Sequence, residues 1–235
     1  MPERRPKLVI LTGAGISAES GLATFRDAGG LWEGHRPEEV ATPEAFARDP
    51  ALVHRFYNAR RQAARAAQPN AAHQALAALA REAGDALLAV TQNVDGLHEA
   101  AGHAGILHMH GALDQATCAN CAATWPAPLA MAPEDPCPAC AAPATRPDIV
   151  WFGELPKDLD AILDALSTAR HFAAIGTSGQ VYPAAGFAQV AREAGATCWE
   201  LTLMASGNPA FHIVREGPAT ETVPAWCEEI RAVLA

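Results

Sequence analysis

Leu8-Val9-Ile10-Leu11 runs directly into Thr12-Gly13-Ala14-Gly15, and this junction constrains the chain more than any other stretch. Four consecutive large apolar residues fit a strand buried on both faces, as in a parallel sheet. Two glycines one residue apart let the chain turn sharply and let a ligand approach bare backbone. Ile16-Ser17-Ala18 suits a helix start, whose unpaired N–H groups favour an anion. The junction therefore reads either as a phosphate cradle or as a plain strand-turn-helix corner. Its spacing departs from the dinucleotide fingerprint G-x-G-x-x-G, because the third glycine is Gly21 and Leu22 to Trp32 does not look like a strand. If a nucleotide binds, the loop after the first strand is part of its site.

A chain of 235 residues has room for one large domain, or a domain with a smaller insert. Its formal charge of −9 argues against general nucleic-acid binding. No apolar run approaches the roughly 18 residues of a membrane span. Arg4-Arg5-Pro6-Lys7 before Leu8 to Leu11 faintly resembles a signal peptide, but the apolar run is too short and the glycine loop breaks it. A cytoplasmic protein with no membrane partner is expected. There, six cysteines point to metal rather than disulfides.

The most specific pattern is Cys118-x2-Cys121 and Cys137-x2-Cys140, with 15 residues between the pairs. This is the spacing of a zinc ribbon. Four cysteines leave no open coordination position, so the predicted metal is structural. The proline-rich segment between the pairs has little core of its own and is expected to fold around the metal. Cys198 and Cys227 stand alone and read as buried, inert thiols.

Elsewhere strand and helix patterns alternate. Thr42-Pro43-Glu44 is a helix start, and Ala45 to Ala67 reads as one helical run. Tyr57 and Arg60 share a face of it, either as a site pair or as a surface aromatic stacked on a cation. Asn70 to Ala83 is a second helix, ended by Gly84. Ala86 to Thr91 is a strand, and Gln92-Asn93-Val94-Asp95-Gly96 follows at its end as ligand loop or simple turn. Gly105 to Gly111 suggests a short strand with His108 and His110 on one side. These histidines fit metal ligands with His98 or His103, a general base, or packed core groups; the glycine after His110 favours it as the base. The sheet is expected to resume at Ile149 to Glu154. Pro156–Ala169 and Ala184–Ala194 read as helices, and His171–Ile175 and Ala196–Leu201 as strands. Gly176-Thr177-Ser178-Gly179 is a second glycine-and-hydroxyl loop, and Pro224 to Leu234 is a last helix. The predicted fold is α/β: a Rossmann-like parallel sheet with helices on both faces, plus a small domain with a zinc ribbon and a helical insert.

Together these stretches resemble the sirtuins, a family of NAD-dependent protein lysine deacylases. Gly13-Ala14-Gly15-Ile16-Ser17, Thr24-Phe25-Arg26-Asp27, Thr91-Gln92-Asn93-Val94-Asp95, His108-Met109-His110-Gly111, the four cysteines and Gly176-Thr177-Ser178 stand in the family's order and cover nearly the whole chain. The resemblance implies a large domain of residues 1–31, 71–113 and 148–235. The small domain would combine residues 32–70 and 114–147. It implies NAD held by Gly13, Ala14, Gly15, Ser17, Phe25, Arg26, Trp32, Gln92, Gly176, Thr177, Ser178, Thr202 and Ala219. Asn93 and Asp95 would position the nicotinamide and its ribose, and His110 would be the base. Val150, Phe152 and Gly153 would line an acyl-lysine channel. The products would be nicotinamide, O-acyl-ADP-ribose and free lysine, with zinc taking no part.

Within the family, the chain most resembles a subgroup in which a Tyr-x-x-Arg recognises succinyl- or malonyl-lysine. This assigns Tyr57 and Arg60 to the acyl carboxylate, with Ala41 leaving room for the longer chain. Thr202 stands where the family has asparagine. Protein mono-ADP-ribosyl transfer and a non-catalytic zinc-ribbon interaction module are the rival functions.

Overall fold

The computed structural model describes residues 6–23 and 34–234. The fully buried strand β1 (Leu8–Thr12) is followed by a single helical turn, α1 (Gly15–Ala18). Next come α2 (Pro37–Val40), α3 (Pro43–Arg48), α4 (Pro50–Ala66), α5 (Ala71–Ala83), β2 (Leu87–Thr91), α6 (Leu97–Ala100) and β3 (Leu107–His108). Strands β4 (Gly111–Cys118), β5 (Thr124–Pro126) and β6 (Thr145–Ile149) precede α7 (Leu159–Leu166) and β7 (His171–Ile175). The chain finishes with α8 (Phe187–Glu193), β8 (Thr197–Thr202), β9 (Ile213–Glu216) and α9 (Ala219–Leu234).

The main sheet has the order β3-β2-β1-β7-β8-β9, with every pairing parallel. Side-chain alternation splits β1 between two cores. Val9 and Leu11 pack with Phe172, Ile162 and Leu166 of α7, and Phe187 of α8. Leu8 and Ile10 pack on the opposite face with Leu76 and Leu79 of α5, and Val223, Trp226 and Ile230 of α9. A near-continuous apolar strand such as Leu8–Leu11 is stable only with helices on both sides, and the sheet supplies them. The order reverses beside β1: β2 and β3 lie on one side, β7 to β9 on the other.

The second sheet, β5-β4-β6, is antiparallel. It docks on α4 through a polar stripe. His54 Nε2 meets the Thr145 carbonyl at 3.1 Å, Arg61 Nε donates to the Leu113 carbonyl at 2.5 Å, and Arg65 donates to the Ala127 carbonyl at 3.0 Å. Asn58 makes two bonds to Met131, donating to its carbonyl at 2.8 Å and accepting from its N–H at 3.0 Å.

Several expectations change. The run Ala45–Ala67 is two helices, because Asp49 leaves the helical conformation and caps Leu52 N at 2.8 Å, with Pro50 opening α4. The predicted strand at Gly105–Gly111 ends at His108; His110 lies in a turn, so strand alternation does not relate it to His108. Val150–Glu154 is a non-strand segment after β6, which belongs to the small sheet. The last helix starts at Ala219 and contains Pro224 in its interior. Edge strand β9 was not expected, because its residues are mostly exposed and carry no buried apolar pattern.

Candidate active site and zinc centre

The carboxyl ends of β1, β2, β7 and β8 bring the predicted cofactor residues to one rim. Gly13 N–H donates to the Ile175 carbonyl, Gly15 N–H to the Gly176 carbonyl, and Gly176 N–H to the Leu201 carbonyl, at 2.8–2.9 Å. A Cβ on Gly15 would lie 2.7 Å from the Gly176 oxygen, and one on Gly13 would lie 2.8 Å from Thr177 Cα. These glycines thus admit the backbone of the facing loop, which the sequence had assigned to a ligand. Ala14 offers no side-chain cap, and a single-turn α1 supplies little of a helix dipole.

Behind this rim lies a buried polar chain. Asn93 Nδ2 donates to the Gly13 carbonyl and to Ser17 Oγ, both at 3.1 Å. Ser17 Oγ donates to Asp95 Oδ2 at 3.1 Å, and Leu97 N–H donates to Asp95 Oδ1 at 3.1 Å. Burial pushes the Asp95 carboxyl up, and these two donors pull it back towards the charged form. Gln92 Nε2 donates to Thr177 Oγ1 at 2.9 Å, tying the β2 loop to the β7 loop. Ser178 is exposed beside it.

His110 Nδ1 lies 3.2 Å from the Gln92 carbonyl oxygen, and burial lowers the ring's pKa from its ordinary value. A carbonyl oxygen only accepts, so Nδ1 carries the proton and neutral His110 presents a bare Nε2. The metal-ligand reading of the other histidines fails. His98 and His103 pack ring to ring at 5.5 Å, and His98 Nε2 pairs with Thr12 Oγ1 at 3.0 Å. His108 pairs with Glu99.

The predicted substrate residues gather on the neighbouring small-sheet side. Val150 N–H donates to the His110 carbonyl at 2.9 Å, and Phe152 N–H to the Ala41 carbonyl at 3.0 Å. Ala41, Tyr57 and Trp151 share one apolar cluster. Trp151 Nε1 donates to the Tyr57 hydroxyl at 3.1 Å. Arg60 is half-buried, with Cζ 5.8 Å from the centroid of the Phe56 ring. Gly153 is exposed. Thr202, at the end of β8, donates to the Met204 carbonyl at 3.1 Å. Ala219 opens α9, where Thr220 bonds Glu19 through both N–H and hydroxyl. Phe25, Arg26 and Trp32 lie outside the described residues. Sequence reasoning missed Glu99 and the polar stripe of α4; an acid and hydrogen-bonding side chains on helices carry no distinctive spacing.

A dinucleotide fits this rim. Hydroxyls, amides and a carboxylate converge where strand order reverses, the place at which open parallel sheets take ligands. Zinc fits the four cysteines. Cys118 and Cys140 Sγ are 3.7 Å apart, Cys121 and Cys137 Sγ 3.8 Å, and all four lie within 4.8 Å of one another. A tetrahedron with Zn–S bonds of about 2.3 Å has edges of about 3.8 Å. Backbone N–H groups of Asn120 and Ala139 donate to Cys118 and Cys137 at 3.4 Å, as suits thiolate ligands.

The fold and rim define a dinucleotide-binding protein of the open parallel-sheet class, with an attached four-cysteine zinc module. The model of the Sir2 family matches residues 13–183, and the chain belongs to that family. It is 53% identical over 234 residues to a Caulobacter vibrioides protein named NAD-dependent protein deacylase, covering 97% of this chain and 98% of the relative. Among solved structures, a Sir2 homologue–NAD complex superposes with TM-score 0.87 at 37% identity, covering 97% of this chain and 90% of that one. A Sir2–p53 peptide–NAD+ structure superposes with TM-score 0.79 at 26% identity, covering 96% and 93%.

Proposed function

We propose that this protein removes acyl groups from protein lysines at the expense of NAD, releasing nicotinamide, O-acyl-ADP-ribose and free lysine. The observation that carries this reading is the geometry of His110. Its Nδ1 is committed to Gln92, its ring is held neutral by burial, and its Nε2 is the nitrogen left to act. It stands beside the same loop that carries Asn93 and Asp95.

When bound, NAD supplies a ribose whose bond to nicotinamide breaks with a neutral leaving group. The rim residues would hold the cofactor: Gly13, Ala14, Gly15, Ser17, Gln92, Gly176, Thr177, Ser178, Thr202 and Ala219, with Phe25, Arg26 and Trp32. Asn93 and Asp95, fixed by Ser17, Gly13 and Leu97, present oriented dipoles and a carboxylate where positive charge develops. Such preorganised groups are worth most where water is excluded. His110 Nε2 accepts the proton of a ribose hydroxyl. Zinc holds the small sheet and stays out of the bond changes.

The acyl-lysine would enter between His110 and the Ala41–Phe152 contact. Tyr57 and Arg60 would read the carboxylate of succinyl or malonyl groups, for which a guanidinium fork is suited. Substrates are acylated proteins, and we place the protein in the cytoplasm. Residues 1–31, 71–113 and 148–235 form the cofactor domain in this reading, with 32–70 and 114–147 as the small domain.

Mass spectrometry of acetyl-, succinyl- and malonyl-lysine peptides, with and without NAD, tests it. The expected result is one nicotinamide and one O-acyl-ADP-ribose per lysine freed. Acyl loss without NAD, or peptide binding without turnover, would remove the reading.

A further inference from the structure

His108 performs a separate task from His110, and the argument rests on the deacylase reading above. The two histidines reach adjacent carbonyls of one loop: His110 Nδ1 meets Gln92 O at 3.2 Å, and His108 Nδ1 meets Asn93 O at 3.0 Å. Both Nδ1 atoms therefore carry protons. The second nitrogens differ. Among the described residues His110 Nε2 has no hydrogen-bond partner, whereas His108 Nε2 lies 2.8 Å from Glu99 Oε1. A neutral His108 with its proton on Nδ1 would turn a lone pair against that carboxylate. The contact requires a proton on Nε2 as well.

One imidazole thus joins both ends of the segment Asn93–Glu99, and Asp95 lies between them. Glu99 sits on α6, which starts two residues after Asp95. Other bonds hold the loop from the β1 and β4 sides: Asn93 Nδ2 to the Gly13 carbonyl and Ser17 Oγ, Ser17 Oγ to Asp95 Oδ2, and Leu113 N–H to the Val94 carbonyl at 2.7 Å. Among the described residues, His108 on β3 is the side chain that links the Asn93 carbonyl to the Glu99 carboxylate. The pair borders an open cleft of about 330 Å³ whose lining also includes Asp95, Asp114, Asp148, Lys157 and Asp158. Lys157 is engaged with Asp148 at 2.5 Å.

We infer that His108 and Glu99 form a positioning clasp that holds Asn93 and Asp95 in register for the reaction, and that the clasp is closed only while His108 carries both ring protons. Glu99 and the Asn93 carbonyl raise the His108 pKa, with a smaller push from Asp95, against the lowering by burial. Acid protonates His110 and removes its function as base, and alkali opens the clasp, so the two histidines bound the working range from opposite sides.

The first test is nitrogen-15 NMR of the histidine rings in the full chain without NAD. The expected spectrum at pH 7 shows His108 protonated on both nitrogens and His110 as the Nδ1–H tautomer. A neutral His108 would overturn the clasp, whatever the enzyme does. The second test is kinetic, with His108→Phe and Glu99→Gln. His108→Phe is expected to lower kcat roughly ten- to hundredfold with little change in peptide KM, as for misplaced reacting groups. Glu99→Gln can keep the contact to a neutral His108 by donating its amide N–H, so the alkaline fall in kcat is expected to disappear. If His108→Phe does not fold, the Glu99→Gln profile decides alone. An unchanged alkaline limb, or a His108→Phe kcat within about twofold of wild type, would overturn the clasp. A wild-type protein inert on every acyl-lysine peptide would instead defeat the deacylase reading, and the ring protonation would still be measurable.

Discussion

The Gln92 carbonyl oxygen lies 3.2 Å from His110 Nδ1, and that contact decides which ring nitrogen is left bare. Burial lowers the ring's pKa below its ordinary 6.5. As the proposed base, His110 acts when neutral, so activity is expected to rise with pH through a value below 6.5 and to be lost on acidification. A kcat/KM profile should show this limb. Substitution by alanine should cost about 10²–10⁴-fold at neutral pH. An acidic limb that survives His110→Ala would assign the titration elsewhere.

The cysteine geometry predicts one zinc per chain by metal analysis. Cys118 and Cys137 are buried and Cys121 and Cys140 exposed. Among the described residues, the small sheet's own apolar cluster is Ala116, Ala127 and Met131, with Trp125 packed against it. Three small contacts do not fold such a sheet alone, so the metal supplies the difference. Cys137→Ser or prolonged chelation should release zinc and expose the small sheet to proteolysis. Helices α7 and α8, which pack in the separate main core, should resist cleavage longer.

Asn58 is the clearest case of a polar helix residue that ties α4 to the small-sheet region. Its amide bonds both the carbonyl and the N–H of Met131, a residue only 4% exposed. Asn58→Ala leaves both backbone groups unpaired and should cost about 2 kcal/mol, within the range for a lost buried hydrogen-bond pair. Denaturant unfolding measures it, and zinc should leave the variant faster. A loss under about 0.5 kcal/mol would mean water replaces the amide.

The main sheet was legible in the sequence because Leu8–Leu11, Ala86–Val90 and Phe172–Ile175 are apolar throughout, a pattern that two-sided burial explains. The zinc centre was legible from spacing alone. The turn at Met109–His110 was not, since strand and turn share the same short apolar signal there. The α4 stripe of His54, Asn58, Arg61 and Arg65 was hidden because polar residues at helical spacing look like a solvated face; here they meet backbone carbonyls of the small sheet and the loop after β5. The candidate site residues could be named one by one, but couplings such as Ser17 to Asp95 join elements that are distant in the chain.

His73 gives a stability prediction with a defined sign. It is fully buried, and desolvation lowers its pKa from 6.5 to about 4. Its ring packs 5.0 Å from that of His98, which burial also holds well below its ordinary value. Between these folded values and 6.5 the unfolded chain binds more protons, so stability rises with pH across that window. It is full above 6.5 and falls as pH drops towards 4. One such group contributes a slope of up to about 1.4 kcal/mol per pH unit. Unfolding measured from pH 5 to 6.5 should show a flatter slope in His73→Gln than in wild type. An equal slope in both would move the titration to another histidine.

Tyr57 and Arg60 provide the test of acyl selectivity. Trp151 Nε1 holds the Tyr57 oxygen at 3.1 Å, and burial pushes the phenol pKa well up, so the hydroxyl stays protonated and able to donate. Arg60 follows one helical turn later on α4. A charge-assisted hydrogen bond to a bound carboxylate is worth about 1.5–3 kcal/mol. Arg60→Met should therefore raise KM for succinyl- and malonyl-lysine peptides by roughly ten- to hundredfold. Turnover of acetyl-lysine, which has no carboxylate to lose, should stay within about threefold, since the methionine keeps most of the stem's packing. Tyr57→Phe should show the same bias more weakly and should also loosen Trp151, whose N–H would lose its acceptor. Equal loss on all three peptides would make the pair part of the wall of the channel, with no role in reading charge.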